Sequence, residues 1–451
     1  MSGNIEKLYS YQKEHANNIV RIIKENNAVL DASDTGTGKT YTAVASCELL
    51  NINPFIICPK SIISQWSRVC KEFNVKPLYV VNYELIQRGK IEKDGKHIMC
   101  PYLSIEDDKY IWTMPKNSLF IFDEVHKCSE MSTNNGKLLL SAKETGVPIM
   151  MLSATIADRP EKFYPFFYVL NFLSDKQVKE LNINFRKYMA IMEQWIMRDK
   201  NPMARIHQML YPKRATRMRI DVLGDLFPET QITATPYSMG KKRELEIENA
   251  YKVLHEQLEQ IRQKGKKDKG GILSLVMRTH QKIEILKIPT FVELTNDFIY
   301  NGYNVVIFVN FTQTLLTLAE LLHTNSLVYG EQSLENRQSI IENFQNNMTN
   351  VIICNIKAGG LGISLHDIKG GHPRVSLISP TWSSIDLLQA LGRIHRAGGK
   401  SKSLQRIIYT ANTVEEKIAD KLKHKLNNIN SINNGDLDLT NIDFQVEHVN
   451  M

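Results

Sequence analysis

Short, almost wholly apolar runs recur along the chain in two blocks, and the stretches between them carry apolar residues at helical spacing. The first block holds A-V-L-D (28–31), F-I-I-C (55–58), L-Y-V-V-N (78–82), L-F-I-F (119–122) and I-M-M-L-S (149–153). The second holds V-V-I-F-V (305–309), L-V-Y (327–329), V-I-I-C-N (351–355), V-S-L-I-S (375–379) and R-I-I-Y (406–409). A strand that is apolar on both faces must be covered on both, so the pattern predicts parallel sheets flanked by helices. Two blocks predict two α/β domains, each a doubly wound parallel sheet, with the chemistry in loops at the carboxyl ends of the strands.

Between the blocks the strand signal fades. Residues 161–173 are rich in aromatics, 176–198 are helix-like, and 241–262 combine helical spacing with dense charge. The run K-G-K-K-D-K-G-G (264–271) reads as a solvated loop, with a phosphate-contacting loop as the alternative. An insertion at 88–110 carries Asp94-Gly95 between two short runs, which is a hairpin turn signal. Such a hairpin is either a surface loop or a wedge at a nucleic-acid branch point. The expected division is a first α/β domain (1–160), a helical protrusion and linker (161–285), a second α/β domain (286–426) and an Asn-rich tail (427–451) left without structure.

Composition narrows the partners. The chain has 451 residues, with 56 Lys plus Arg against 48 Asp plus Glu, a formal net charge of +8 that suits a phosphate backbone. Its six cysteines are scattered with no C-x-x-C pair, which predicts reduced thiols and no zinc site. The start is polar and no apolar run approaches ~20 residues, so neither secretion nor membrane spanning is expected, and the protein is placed in the cytoplasm.

The chemistry begins at A-S-D-T-G-T-G-K-T (32–40), between a predicted strand and a predicted helix. Gly36 and Gly38 let backbone N–H groups of Thr35 to Lys39 approach a polyphosphate, Lys39 reaches its outer phosphates, and the Thr40 hydroxyl can ligate magnesium. Ser33 stands where the strict pattern has glycine. F-D-E-V-H (122–126) ends a strand, so Asp123 is assigned to the metal and Glu124 to the attacking water. S-A-T (153–155) ends another, where the hydroxyls can bond the metal-site carboxylates or simply cap a helix. In Q-A-L-G-R-I-H-R (389–396), Arg393 and Arg396 would share one face of a helix and could stabilise charge on a transferring phosphoryl group.

Together and in this order, these motifs resemble those of superfamily 2 helicases and translocases. I-C-P-K-S-I-I-S-Q-W (57–66), V-V-N-Y-E-L-I (80–86), R-M-R-I-D-V-L (217–223) and A-G-G-L-G-I-S-L (358–365) resemble the Swi/Snf-like branch. The resemblance implies two RecA-like domains in tandem, with ATP and Mg2+ as cofactors. It implies that Gln12 reads adenine, that Thr37 belongs to the nucleotide loop, and that Gln389 lies near the nucleotide with Arg393 and Arg396 as arginine fingers. It implies nucleic-acid contacts at Lys60, Ser61, Tyr83, Thr312, Gly359, Gly360 and Ser364, and a closing helix at 413–424. S-A-T, Ser364 and Gly399 depart from that branch, which usually has T-G-T-P, Asn and Gln there. With no chromatin-reading module in sight, the expectation is a monomeric ATP-dependent DNA translocase or helicase of the minimal phage branch-migration type, acting on duplex or branched DNA such as forks and Holliday junctions. The alternatives are a D-E-x-H-type RNA helicase and a chromatin-remodelling translocase.

Overall fold

Every apolar run of the first block becomes a strand of one parallel sheet. In the computed structural model, which describes residues 4–157, 159–173, 177, 184–223, 227–263, 269–330, 332–359, 363–381, 383–416, 419 and 442–443, these are β1 (Ala28–Asp31), β2 (Asn53–Cys58) and β3 (Tyr79–Asn82). Two hairpins follow, β4 (Lys90–Lys93) with β5 (Lys96–Met99) and β6 (Leu103–Glu106) with β7 (Lys109–Trp112). The sheet is completed by β8 (Ser118–Asp123), β9 (Ile149–Leu152) and the two-residue β10 (Ala215–Thr216), in the order β10-β1-β9-β8-β2-β3.

Period-two alternation decides which core each side chain enters. In β8, Leu119 and Ile121 join one cluster while Phe120 and Phe122 join the other. The first cluster is covered by helices Ser10–Asn26, Lys39–Leu50 and Ile63–Glu72, through Ile19, Val44 and Trp66 among others. The second is covered by Asn134–Glu144, Tyr164–Val169, Phe185–Met197 and Pro202–Leu210.

The second sheet comprises β11 (Thr230–Tyr237), β12 (Asn304–Val309), β13 (Leu327–Val328), β14 (Val351–Asn355), β15 (Arg374–Ile378), β16 (Ser403–Thr410) and β17 (Ile442–Asp443). Its order is β13-β14-β12-β15-β16-β11-β17, and its pairs are parallel. The two sheets belong to separate compact units that divide at 224/225.

The segment expected as one helical protrusion (161–285) is therefore shared. Its first part packs into the core of the first unit through Tyr188, Met192 and Ile206. Its later part supplies β11 and the long helices Lys241–Gln263 and Lys269–Leu286 to the second unit. β11 reads T-Q-I-T-A-T-P-Y, threonine-rich and interrupted by proline, so it lacks the apolar run that marks the other strands.

The Asp94-Gly95 turn is a hairpin, with φ of 52° and 73° at its two centre residues. Asp107 and Asp108 turn the neighbouring hairpin with φ of 47° and 58°, a two-aspartate turn that carries no glycine to betray it in sequence. All six cysteines are buried and free. Among the described residues no helix is long and apolar enough to cross a membrane. Residues 264–268, most of the tail after 416 and Gly360 lie outside the described residues. Of the expected closing helix at 413–424, only 413–416 and 419 are described.

Candidate nucleotide site and arginine pair

Parallel strands all point the same way, so the loops after β1, β2, β3, β8 and β9 gather along one edge of the first sheet. The loop after β1 turns through Gly36 (φ 85°) and Gly38 (φ 98°) into helix Lys39–Leu50, leaving the first N–H groups of that helix facing the loop. A side chain at Gly38 would collide with Gln12, whose Nε2 lies 2.2 Å from the position a Cβ would take. The Lys39 ammonium folds back onto its own loop, donating to the carbonyls of Ser33 (2.7 Å) and Asp34 (3.1 Å). Burial lowers its pKa, and the carboxylates of Glu124, Asp31, Asp123 and Asp34 oppose that shift in that order. The sequence-predicted lysine and carboxylates are thus brought to one place.

Asp123 ends β8 and is buried. Its Oδ2 accepts from the Trp66 indole N–H at 2.9 Å and its Oδ1 from the Glu124 N–H at 2.9 Å. Burial, then the neighbouring Glu124 charge, pushes its pKa up to about 7. Glu124 itself sits in the left-handed region (φ 53°, ψ 49°), an uncommon conformation for a non-glycine residue. His126 Nδ1 lies 3.3 Å from Glu124 Oε2 and 3.0 Å from Ser153 Oγ. Ser153 in turn donates to the Thr155 carbonyl. S-A-T therefore reaches Glu124 through a histidine, a relay for which F-D-E-V-H supplied the residue but no hint of the partner.

An incoming divalent cation would meet hard oxygen donors, the Asp123 carboxylate and the half-buried Thr40 hydroxyl, which suits magnesium. Among the described residues no group of three or more His, Cys, Asp or Glu side chains forms a metal cage. The residues fit a magnesium ion that arrives with phosphates and keeps water ligands, not one held by protein alone.

Other expected residues fall differently. Tyr83 differs from expectation: it is 1% exposed and its hydroxyl donates to the Asp123 carbonyl at 2.8 Å, so its ring braces the end of β8 rather than facing solvent as a phosphate contact would. The Gln12 amide is engaged at both ends, accepting from the Tyr9 N–H and donating to the Thr37 carbonyl, so in this conformation it braces the loop. Lys60 is exposed, and Ser61 and Thr35 are half-buried. Ser33 is buried, accepts from the Met218 N–H, donates to Asp31 and lies 3.2 Å from His15 Nε2. A glycine there could make none of those side-chain contacts.

In the second unit, helix Ser384–Leu391 stops at Gly392, so the shared helical face expected for Arg393 and Arg396 is corrected to a turn beyond the helix end. The Arg393 Nε donates back to the Gln389 carbonyl at 2.7 Å and its Nη1 to the Ile363 carbonyl at 3.3 Å. Arg396 donates to the Gly392 carbonyl and, at 2.8 Å, to Ser364 Oγ. Burial, then the like charge of Arg393, holds the pKa of Arg396 well below its usual range. Gln389 is buried and its Nε2 has no hydrogen-bond partner among the described residues. Thr312 is exposed at the start of helix Thr312–Leu321, whose preceding N–H groups, of Asn310 and Phe311, are capped by buried Glu284. Gly359 ends the short helix Ile356–Gly359.

Residues 5–158 match the model for the res subunit of type III restriction enzymes, and residues 287–398 match the helicase conserved C-terminal domain. A protein of Acanthamoeba polyphaga mimivirus, named as ATP-dependent RNA helicase L364, is 38% identical over 96% of this chain and 84% of its own length. The chain belongs to the superfamily 2 helicases. The chromatin remodeling factor mit1 of Schizosaccharomyces pombe is 23% identical over 88% of this chain, which spans only 31% of that protein. Among solved structures, the Sulfolobus solfataricus SWI2/SNF2 ATPase core in complex with dsDNA covers 92% of this chain and 90% of its own at 18% identity, with a TM-score of 0.37. The tandem RecA-like architecture of this helicase is carried by the two parallel sheets themselves.

Proposed function

We propose that this helicase is an ATP-dependent DNA translocase that remodels branched DNA. The observation that carries the ATPase half is the convergence of Lys39 with Asp123 and Glu124 at one sheet edge. Lys39 would leave its own loop to bind the outer phosphates, Thr40 and Asp123 would hold an accompanying magnesium ion, and Glu124 would orient water, steadied by His126. Bound magnesium supplies charge neutralisation between the phosphates. Arg393 and Arg396 are adjacent guanidinium groups whose mutual repulsion an incoming phosphate anion relieves, which suits a role as arginine fingers, with Gln389 beside them.

Movement on nucleic acid follows if Lys60, Ser61, Thr312, Gly359, Gly360 and Ser364 grip phosphates in turn as nucleotide binds and leaves. The Swi/Snf-type motifs favour duplex DNA, and the first hairpin, Lys90–Met99, suits a wedge at forks and four-way junctions. RNA is the second reading, favoured by the name of the mimiviral relative. A panel of ATPase and unwinding assays on single strands, blunt duplex, forks, Holliday junctions and RNA duplex decides among them. Stimulation by forks and junctions above blunt duplex is expected; stronger stimulation by RNA duplex transfers the function to RNA, and an ATPase indifferent to every polymer overturns the motor.

A further inference from the structure

Segment 216–220, part of a motif to which the site chemistry above gives no role, is bonded to the nucleotide loop residue by residue. The Ala32 N–H donates to the Thr216 carbonyl at 2.9 Å, the Asp34 N–H to the Met218 carbonyl at 3.0 Å, and the Met218 N–H to Ser33 Oγ at 2.8 Å. The Asp34 carboxylate accepts from Arg217 through Nε (3.1 Å) and Nη2 (2.5 Å) on one oxygen, and from the Ile220 N–H (2.9 Å) on the other. The Asp34 carbonyl accepts from Lys39 Nζ at 3.1 Å and the Thr37 hydroxyl at 2.8 Å. One residue thus touches both the lysine that meets phosphate and the strip of chain that runs on to the second unit at 225. The ion pair is largely sheltered, its side chains 10% and 22% exposed, so salt screens it weakly. The sheet holds this strip only at β10, where just Ala215 and Thr216 pair with β1.

We propose that the Asp34–Arg217 pair transmits occupancy of the nucleotide loop to the connecting strip 217–223, which makes Arg217 a positioning residue for ATP turnover. The proposal rests on the ATPase reading above. To reach phosphates, Lys39 gives up the carbonyls of Ser33 and Asp34. The polyphosphate brings negative charge close to the Asp34 carboxylate, and the hold of Arg217 on that carboxylate tightens. The strip is drawn toward the loop and ordered, and because it leads into the unit that carries the arginine pair, the state of the nucleotide is passed along the chain itself.

Two readouts test this in the full chain. In hydrogen exchange with Mg2+ and a non-hydrolysable ATP analogue, the amides of 217–223 slow on nucleotide binding in the parent protein and do not respond in Arg217→Ala. In turnover, the ratio of nucleic-acid-stimulated to basal ATPase falls about tenfold in Arg217→Ala, with Arg217→Lys intermediate because it keeps the charge and loses the fork. Asp34→Asn, which keeps the shape, shows the same loss, and the double variant is no worse than either single. Unchanged exchange at 217–223 in the parent protein, or equal slowing in Arg217→Ala, overturns the coupling whether or not ATP is hydrolysed. If the parent protein fails to turn over ATP yet its strip responds to the analogue, the ATPase reading falls and the coupling stands.

Discussion

Trp66→Phe isolates one hydrogen bond of the proposed magnesium site. The indole N–H is the side-chain donor that opposes the upward push of burial and of Glu124 on the Asp123 pKa. Phenylalanine fills most of the same space without the donor. A hydrogen bond to a charged group contributes about 1.5–3 kcal/mol. At about 1.4 kcal/mol per pKa unit this is one to two units, and water entering the space left by the pyrrole ring recovers part of it. The expected result is a further rise of about one unit in the Asp123 pKa. The assay is the pH profile of kcat/KM, which reports the free enzyme, with magnesium and ATP varied together. The acid limb, near pH 7 in the parent protein, moves about one unit toward alkaline pH while the plateau above it changes little. An acid limb that stays put, or moves to lower pH, refutes the role given to Trp66. A plateau lost at every pH would point instead to collapsed packing.

Other expectations follow from the same geometry. Because Asp123 is protonated below about pH 7, binding of Mg2+ with ATP near pH 6.5 should release a proton, seen as a buffer-dependent binding enthalpy in calorimetry that vanishes above about pH 8. The sign for stability is opposite to that of an ordinary carboxylate. A folded pKa raised above the unfolded value near 3.9 means that nucleotide-free stability declines as pH rises from about 4 to about 7, checked by denaturant melts across that window. Gly38→Ala meets Gln12 and an unfavourable φ of 98°, so ATP affinity should fall at least about tenfold while the far-ultraviolet spectrum is retained. Lys287→Met strips the buried Glu415 of its cation and should cost about 3–5 kcal/mol in urea melts, part of which Glu415→Leu in the same chain recovers. Deleting 90–98, the first hairpin, should impair unwinding of forks and spare DNA-stimulated ATPase; loss of both or of neither counts against a wedge.

The sheets were legible because their strands are buried on both faces and therefore apolar throughout. β11 was not, because its threonines and Pro236 spread the apolar signal thin, and the two-residue β10 is too short for any pattern. The loop at 32–40, Asp123 and Glu124 stood out because the chemistry proposed for them requires fixed residues at fixed spacing after a strand, and the structure brings them to one sheet edge. What spacing cannot show is which distant side chain closes on them. Trp66, 57 positions before Asp123, and Arg217, 183 positions after Asp34, owe their roles to tertiary packing. Tyr83 shows the converse, since its motif fits a surface contact while its ring fills the core beneath Asp123.

The burial of all six cysteines has a practical consequence for watching this motor move. Burial raises the pKa of each thiol, so at neutral pH none offers an exposed thiolate to maleimide or iodoacetamide. A cysteine placed at exposed Lys60 and another at exposed Thr312 would therefore take up fluorophores in the otherwise unaltered chain. Energy transfer between the two would report whether their separation responds to Mg2+ and ATP, and any slow extra labelling would serve as a clock for local unfolding.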